Sequence, residues 1–316
     1  MTEVIHSENE YEDLLGQWSD LESGLGVILA NPANAQEFVH RVVQYDRWMQ
    51  GLMLRDPDVG LYLLFQLAGN SPVGYSASHS LVCATLCHLI AAELGTPAPE
   101  RNSLVHAALT MNIAMTALQD DLAGQAEKPT SAQRDAINSH SAKSCLLLAS
   151  LGVNDDHWLD IVATHHDDDV GNVDLREGPP ATRLTRILKV VDRYAAMISP
   201  RMSRSGRTAT ESARTVMGNA TDALSHALVT AVGLCPPGTY VRMDSGELGV
   251  VLRRSSKANL PFVAVVGKAN GELLQMPRLH DTGSGAPRIR SALAASAVRA
   301  NLNHFHILQL GAHAVP

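Results

Sequence analysis

The sequence predicts a mainly α-helical protein: a helical bundle with a small β subdomain near the C-terminal end. Up to about residue 232, apolar residues recur at spacings of three and four, and helix-start residues precede several of these runs. From CPPGTY (residues 235–240) onward, short β-prone runs alternate with turn residues. Because 45% of the 316 residues are hydrophobic and only 18% are charged, the chain can bury a large core.

The helical part divides at its proline, glycine and capping residues. Residues 9–69 predict about three helices, which break at Asn31-Pro32 and around Asp56-Pro57. Further helices are predicted over residues 76–232. Their expected starts are Ser76 or Ser78, Asn102 or Ser103, Thr130 or Ser131, and Asn154 to Asp156, and their expected ends include Gly95 and Gly152.

The β subdomain is predicted from two pairs of short strands. TYVRMDSGELGVVLRR has two β-prone runs around Asp244-Ser245-Gly246, which indicates a hairpin. PFVAVVG and ELLQMP form a second pair, separated by residues 268–271. We therefore expect an N-terminal helical segment (1–70), a helical domain (71–233), a small β subdomain (234–282), and a C-terminal helix and strand (283–316), with the apolar run FHILQL near the end.

Charge and composition exclude several classes of function. The formal net charge of −7 argues against nucleic-acid binding, which requires a basic surface. The first ten residues lack the pattern of a signal peptide, and the longest apolar stretch is interrupted by His88 and Glu93, which argues against a membrane span. The four cysteines lie in helical or turn contexts, so we expect reduced thiols and a cytoplasmic protein.

Several ionisable residues occupy the apolar faces of predicted helices. His165 and His166 continue the buried stripe of Val162 at positions i+3 and i+4, and His79, His140 and Asp192 lie on or beside comparable stripes. A single such histidine is usually a hydrogen-bonded core residue. Four helices that each turn an imidazole or carboxylate inward are instead typical of a metal site in a helical bundle. His88 and His106 face away from these stripes and are interpreted as structural.

Three aspartates, Asp167, Asp168 and Asp169, follow His166 where the helix should end. Carboxylates are disfavoured at that negative pole of the helix dipole, and a nearby cation would relieve the repulsion. The alternative is that the helix ends in a solvated acidic loop.

Taken together, these segments resemble the HD-GYP family of metal-dependent phosphodiesterases that hydrolyse cyclic di-GMP. The resemblance runs from about Tyr75 to Pro277. It includes YSASHSLV for the first histidine helix, HHD for the family's His-His-Glu, RILKVVDRY for its Arg-Ile-Leu-x-Val-x-Asp segment, and PPGTYVRMDSGELGVVLRR for the β extension. It implies an HD-domain-like bundle in which His79 and Asp192 belong to a first metal position, and His140, His165 and His166 to a second.

The family's central motif is missing. Met111 and Asn112 stand where the resemblance calls for His-Asp, Ala114 and Met115 stand where it calls for Gly-Lys, and the Gly-Tyr-Pro loop is absent. In the family that aspartate bridges two metals, which hold the hydroxide that attacks phosphorus. An amide bridges two dications poorly, and a thioether is mismatched to Fe²⁺ or Mn²⁺. We expect no catalytic pair here and at most one divalent transition metal (Fe, Mn or Zn), with no metal at all as the alternative.

A basic segment, ISPRMSRSGR, follows the Asp192 helix. The resemblance matches Arg201 and Arg204 to arginines that can hold substrate phosphate, whereas a solvated basic loop is the alternative. We therefore expect a non-catalytic signalling module that binds cyclic di-GMP or another phosphate ligand, or contacts a protein partner. The alternatives are a residual single-metal phosphohydrolase and an interaction scaffold whose histidines only satisfy core hydrogen bonds.

Overall fold

The computed structural model describes residues 8–70, 73–167, 175, 177–203, 205–217, 223–257, 259–298 and 302–314. The helices are α1 (Glu8–Ala30), α2 (Phe38–Arg55), α3 (Pro57–Asn70), α4 (Tyr75–Glu93), α5 (Ala98–Thr110), α6 (Thr116–Ala123), α7 (Ser131–Ser150), α8 (Asp156–Thr164), α9 (Pro180–Ile198), α10 (Ala209–Met217), α11 (Ala223–Val232) and α12 (His304–Gln309). The strands are β1 (Tyr240–Met243), β2 (Leu248–Arg253), β3 (Phe262–Gly267), β4 (Leu273–Asp281) and β5 (Ile289–Leu293). The predicted mainly α fold class is confirmed.

The breaks that the sequence predicted in the first three helices are present. Asn31-Pro32 separates α1 from α2, and Asp56-Pro57 separates α2 from α3. Thr130 caps α7 through a reciprocal capping box with Gln133. Gly95 and Gly152 follow α4 and α7 with φ of +66° and +90°, a conformation in which glycine avoids the steric cost of a side chain.

One predicted helix start was wrong. The helix expected to start at Asn102 or Ser103 begins at Ala98, after Pro97, because a proline near the first turn suits a helix start. This helix is short: α5 ends at Thr110, residues Ile113–Met115 form a 3₁₀ turn, and α6 follows.

The strands form one antiparallel sheet in the order β4-β3-β2-β1-β5. Both predicted hairpins are present, since β1 pairs with β2 and β3 pairs with β4. The fifth strand, Ile289–Leu293, lies beyond the predicted limit of residue 282 and pairs with β1. FHILQL forms most of α12 and is therefore helical, so a terminal strand containing this run was a wrong expectation.

The sheet packs directly on the helices. Tyr240, Val250, Leu252, Ala264 and Val266 belong to the same buried hydrophobic cluster as the helix side chains. Arg253 on β2 forms an ion pair with Asp56, and Arg254 donates from Nε to Asp58 Oδ1 at 2.5 Å. The sheet and the helices thus share one core. The division of the chain into four segments remains a prediction.

Helix α4 lies at the centre of the helical part and is buried on nearly all sides. It packs against α5, α9 and α11. Its first turn is fixed by Asp120 of α6, which accepts hydrogen bonds from Ser76 N at 2.7 Å and Ser76 Oγ at 3.0 Å. This cap sets where His79, one turn further along, meets α9. Within the described residues, no helix combines the length and apolar character that crossing a bilayer requires.

Candidate metal centre

The fold brings the predicted metal-binding residues together from four helices. His79 lies on α4, His140 on α7 and Asp192 on α9, while His165 is the C-cap residue directly after α8 and His166 follows it. Among the described residues, two groups of His, Cys, Asp or Glu donors could each hold an ion, and within each group the donor atoms lie within 4.8 Å of one another. One group is His140, His165 and His166, called here the histidine triad. The other is His79, Cys83 and Asp192, called here the thiol group.

The histidine triad is oriented by backbone carbonyls. The Nδ1 atom of His140 lies 2.5 Å from the carbonyl oxygen of Ile137, and Nδ1 of His165 lies 2.8 Å from that of Val162. A carbonyl can only accept, so each Nδ1 must carry the proton and donate it. Each Nε2 then presents a lone pair, which is the arrangement found for histidines that bind metals.

The two lone pairs of the triad converge. Nε2 of His140 and Nε2 of His165 are 3.3 Å apart and both are buried. Two acceptors facing each other without a proton repel, so this geometry requires a cation or a proton between or beside them. Two ligands of a tetrahedral ion at about 2.0–2.1 Å from the metal are themselves about 3.3 Å apart. The residues present therefore fit a divalent transition metal.

His166 completes the triad from its solvent side. Its ring centroid lies 4.1 Å from that of His165 and 5.0 Å from that of His140, and the residue is exposed. A metal held by two buried imidazoles and one exposed imidazole would keep a coordination position open toward solvent. An open position is where a metal takes water or a ligand.

Burial favours the neutral imidazoles of His140 and His165. Desolvation is the largest cause that lowers the pKa of His165 to about 4; the neighbouring His166 contributes to this lowering, and Asp192 opposes it. The pKa of His140 is also lowered, chiefly by burial. Metals bind neutral imidazole, so these shifts keep His140 and His165 competent to bind a metal at neutral pH.

The thiol group has a different internal structure. Nε2 of His79 lies 2.8 Å from Oδ1 of Asp192, and the side chains are 1% and 20% exposed. Burial would raise the pKa of Asp192, but the hydrogen bond from His79 and the charges of nearby histidines lower it to about 2. The carboxylate of Asp192 is therefore ionised, and histidines of both donor groups act on it.

Cys83 is the donor that sequence reasoning missed. Its sulfur lies 3.7 Å from Nε2 of His79, and it is fully buried. In the sequence it stands among apolar residues of its helix. Its position four residues after His79 was the available signal, because i and i+4 side chains share a helix face.

Arg201 lies beside the thiol group. Its Nη2 donates to the hydroxyl of Tyr75 at 2.7 Å, and its guanidinium stacks over the Tyr75 ring at 4.5 Å. The Tyr75 ring in turn stacks on His79, with centroids 5.4 Å apart. Among the described residues, the buried Nε of Arg201 has no hydrogen-bond partner, so this donor could serve an anion.

Other predicted residues contribute less or cannot be placed. Arg204, Asp168 and Asp169 lie outside the described residues. Asp167 is exposed, and its carbonyl oxygen accepts from Lys189 Nζ at 2.5 Å. Its carboxylate belongs to neither donor group.

The two residues that replace the His-Asp pair are both buried. Met111 is 0% exposed and belongs to the hydrophobic core, and Asn112 is 6% exposed. Just after them, Ala114 N donates to Ser144 Oγ on α7, one turn beyond His140. The segment thus packs beside the helix that carries His140, and it supplies no carboxylate there.

The histidines set aside in the sequence lie outside both donor groups. His106 pairs through Nε2 with Asp46 Oδ2 at 3.1 Å, and its ring lies 5.0 Å from that of Trp158. Burial lowers the pKa of His88. Neither belongs to the two groups of donors found among the described residues.

Comparison with known proteins identifies the family of this chain. Residues 64–224, about half of the chain, match the family described as HD domain. The chain therefore belongs to the HD-domain family, a class of helical proteins. Both donor groups lie within the matched residues.

Within that class, the resemblance to HD-GYP proteins is confirmed. A cyclic di-GMP phosphodiesterase of Pseudomonas aeruginosa is 27% identical over 215 residues, which cover 66% of this chain and 52% of that protein. The chain thus spans about half the length of this curated relative. An HDG"Y"P protein from Bdellovibrio bacteriovorus superposes with a TM-score of 0.49 at 13% identity, covering 66% of this chain and 68% of that one.

Proposed function

We propose that this protein is an HD-GYP-type signalling module that binds cyclic di-GMP or a related phosphate ligand without hydrolysing it. In this proposal the histidine triad holds one divalent metal, and Arg201 contacts a ligand phosphate. Arg204, three residues further on, is proposed to join it. The ligand class comes from the Pseudomonas aeruginosa relative, which is a cyclic di-GMP phosphodiesterase.

The observation that carries the proposal is the burial of Met111 and Asn112 in place of a His-Asp pair. A two-metal hydrolase needs an anionic bridge that holds both ions close to one hydroxide. Asn112 is neutral, and Met111 packs in the core. The two donor groups therefore lack a bridging carboxylate from this segment, while each keeps its own donors.

The surviving donors support ligand binding. A bound metal would act as a Lewis acid toward a phosphate oxygen. His166 lies on the exposed side of the triad, and Arg201 is held by Tyr75 beside the neighbouring donor group. An arginine whose orientation is already fixed loses little side-chain freedom when it binds phosphate.

Calorimetry on the metal-loaded protein tests the ligand half of this proposal. We expect saturable heat with cyclic di-GMP, and a roughly tenfold or greater loss of affinity in Arg201→Gln, because a charge-assisted hydrogen bond contributes about 1.5–3 kcal/mol. Arg214→Gln is the matched control, since Arg214 is exposed on α10. Absence of heat and of a thermal shift with cyclic di-GMP and related nucleotides would disprove ligand binding.

The intact triad supports one alternative, a residual phosphohydrolase with a single metal. It predicts slow phosphodiester cleavage that depends on added Fe²⁺, Mn²⁺ or Zn²⁺ and disappears in His165→Ala. His226→Ala, an exposed histidine on α11, is the control. If cyclic di-GMP is recovered uncleaved with every metal, the hydrolase alternative fails and the binding proposal stands.

A further inference from the structure

We infer that Cys83 is a metal ligand, and that His79, Cys83 and Asp192 form a separate site for zinc or another thiophilic dication. This inference rests on the proposed function in one respect: it assumes that the HD-type centre holds metal at all. It goes further by assigning a thiolate ligand and a metal preference to the first donor group.

The placement of the three donors supports this site. His79 and Cys83 share one face of α4 because they are four residues apart, and Asp192 meets them from α9. The sulfur of Cys83 and Nε2 of His79 are 3.7 Å apart. Sulfur and nitrogen ligands of a tetrahedral zinc, at about 2.3 and 2.0 Å from the ion, are about 3.5 Å apart.

The carboxylate is the donor that must move. Oδ1 of Asp192 and Nε2 of His79 are hydrogen-bonded at 2.8 Å, whereas ligand atoms of a tetrahedral ion are about 3.3 Å apart. A shift of about half an ångström would let a metal replace the shared proton. Asp192 is 20% exposed on its side chain, so it has room for this shift.

The chemistry of the donors selects the metal. Thiolate favours zinc and other soft or borderline ions over Mn²⁺ and Mg²⁺. On binding, the Cys83 thiol releases its proton to solvent, and His79 offers Nε2 while its remaining proton moves to Nδ1. That Nδ1 is buried and has no hydrogen-bond partner in the part of the chain that the structure describes. Three protein ligands leave a fourth position open, as in zinc sites that accept a ligand.

The competing interpretation is that Cys83 is only a small packing residue. It is fully buried on a helix that also carries the fully buried Cys87. Cys87 is therefore the matched control: it lies on the same helix, has the same burial, and belongs to neither donor group among the described residues.

Cobalt substitution of the full chain tests the inference. We expect Co²⁺ to produce a thiolate-to-cobalt charge-transfer band in the near ultraviolet, which Cys83→Ser abolishes and Cys87→Ser retains. Retention of the band in Cys83→Ser, or its absence from the wild-type protein, would overturn the assignment. Because a variant of a buried helix can fail to fold, X-ray absorption of the zinc-loaded wild type supplies a second measurement: it should show sulfur at about 2.3 Å.

The two proposals fail differently. Zinc bound only by nitrogen and oxygen, with cyclic di-GMP binding intact, would overturn the Cys83 assignment and leave the proposed function standing. A sulfur shell without nucleotide binding would overturn the ligand proposal alone.

Discussion

The histidine triad and the thiol group lie next to each other in one helical core, yet they have opposite internal electrostatics. In the triad, two backbone carbonyls hold the Nδ1 protons, and the two Nε2 atoms face each other at 3.3 Å. In the thiol group, His79 and Asp192 satisfy each other at 2.8 Å. The lone pairs of the first group face each other, whereas the donors of the second group are already hydrogen-bonded to each other.

The two groups therefore show two different ways in which part of an inherited metal centre can be retained. The triad is preorganised, because backbone carbonyls already hold two of its imidazoles in a metal-binding orientation. Little conformational freedom is therefore lost when a metal binds. The thiol group must break the hydrogen bond between His79 and Asp192 before it can coordinate. We therefore expect the triad to bind its metal more tightly, and the thiol group to discriminate more strongly between metals.

The largest effect is expected from removing one imidazole of the triad. His165→Ala should weaken metal binding by more than roughly 100-fold, because loss of an outer hydrogen-bond partner alone costs 10- to 100-fold. Titration with a chromophoric chelator measures this affinity. His226→Ala, on the surface of α11, should match wild type, and equal affinities for all three proteins would show that the triad is not the site.

Acidification of chelator-treated protein should lower its free energy of unfolding, because His165 of the triad is buried in its neutral form. The pKa of His165 is lowered to about 4 from 6.5, so the unfolded chain takes up the proton first. Stability that is complete above pH 6.5 is then lost as the pH falls toward 4, by roughly 2.5 kcal/mol at pH 4.5.

Urea unfolding at a series of pH values measures that loss. His165→Leu should flatten the profile between pH 6.5 and 4.5 while costing little at pH 8, since an apolar side chain replaces a neutral buried one. A wild-type profile that is already flat in this window would contradict the burial argument.

The smallest effect is expected from the cap that positions the thiol group. Asp120→Ala should lower the free energy of unfolding by about 1 kcal/mol, because Ser76 N and Oγ lose their acceptor at the start of α4. It should also weaken metal binding at the thiol group more than at the triad. Asp121→Ala, the exposed neighbour on α6, is the control; if both variants lose equal stability, the cap does not position α4.

The sequence predicted those parts of the fold that depend on local signals. Prolines and glycines placed the breaks at Asn31-Pro32, Asp56-Pro57, Gly95 and Gly152, and helical periodicity brought His140 and His165 to buried faces. Strand β5 was missed because it is an edge strand with no fully buried residue and weak alternation. FHILQL is short and apolar, and such runs do not distinguish helix from strand.

The site was predictable only where a polar residue stood out from an apolar face. His79, His140 and Asp192 stood out in this way. Cys83 did not, because a cysteine on an apolar stripe is indistinguishable from a packing residue until a histidine is seen beside it. The break between α5 and α6 also depends on tertiary contacts, such as Ala114 N with Ser144 Oγ, which no local pattern contains.

Electron paramagnetic resonance of the protein titrated with Mn²⁺ tests most directly whether the two groups can act as one bridged centre. Manganese suits imidazole and carboxylate but not thiolate, and Asn112 offers no bridging charge. We predict an uncoupled Mn²⁺ signal that saturates at one ion per chain and disappears in His165→Ala. An exchange-coupled signal from two manganese ions would contradict the account, because it would require the bridge that this chain has replaced.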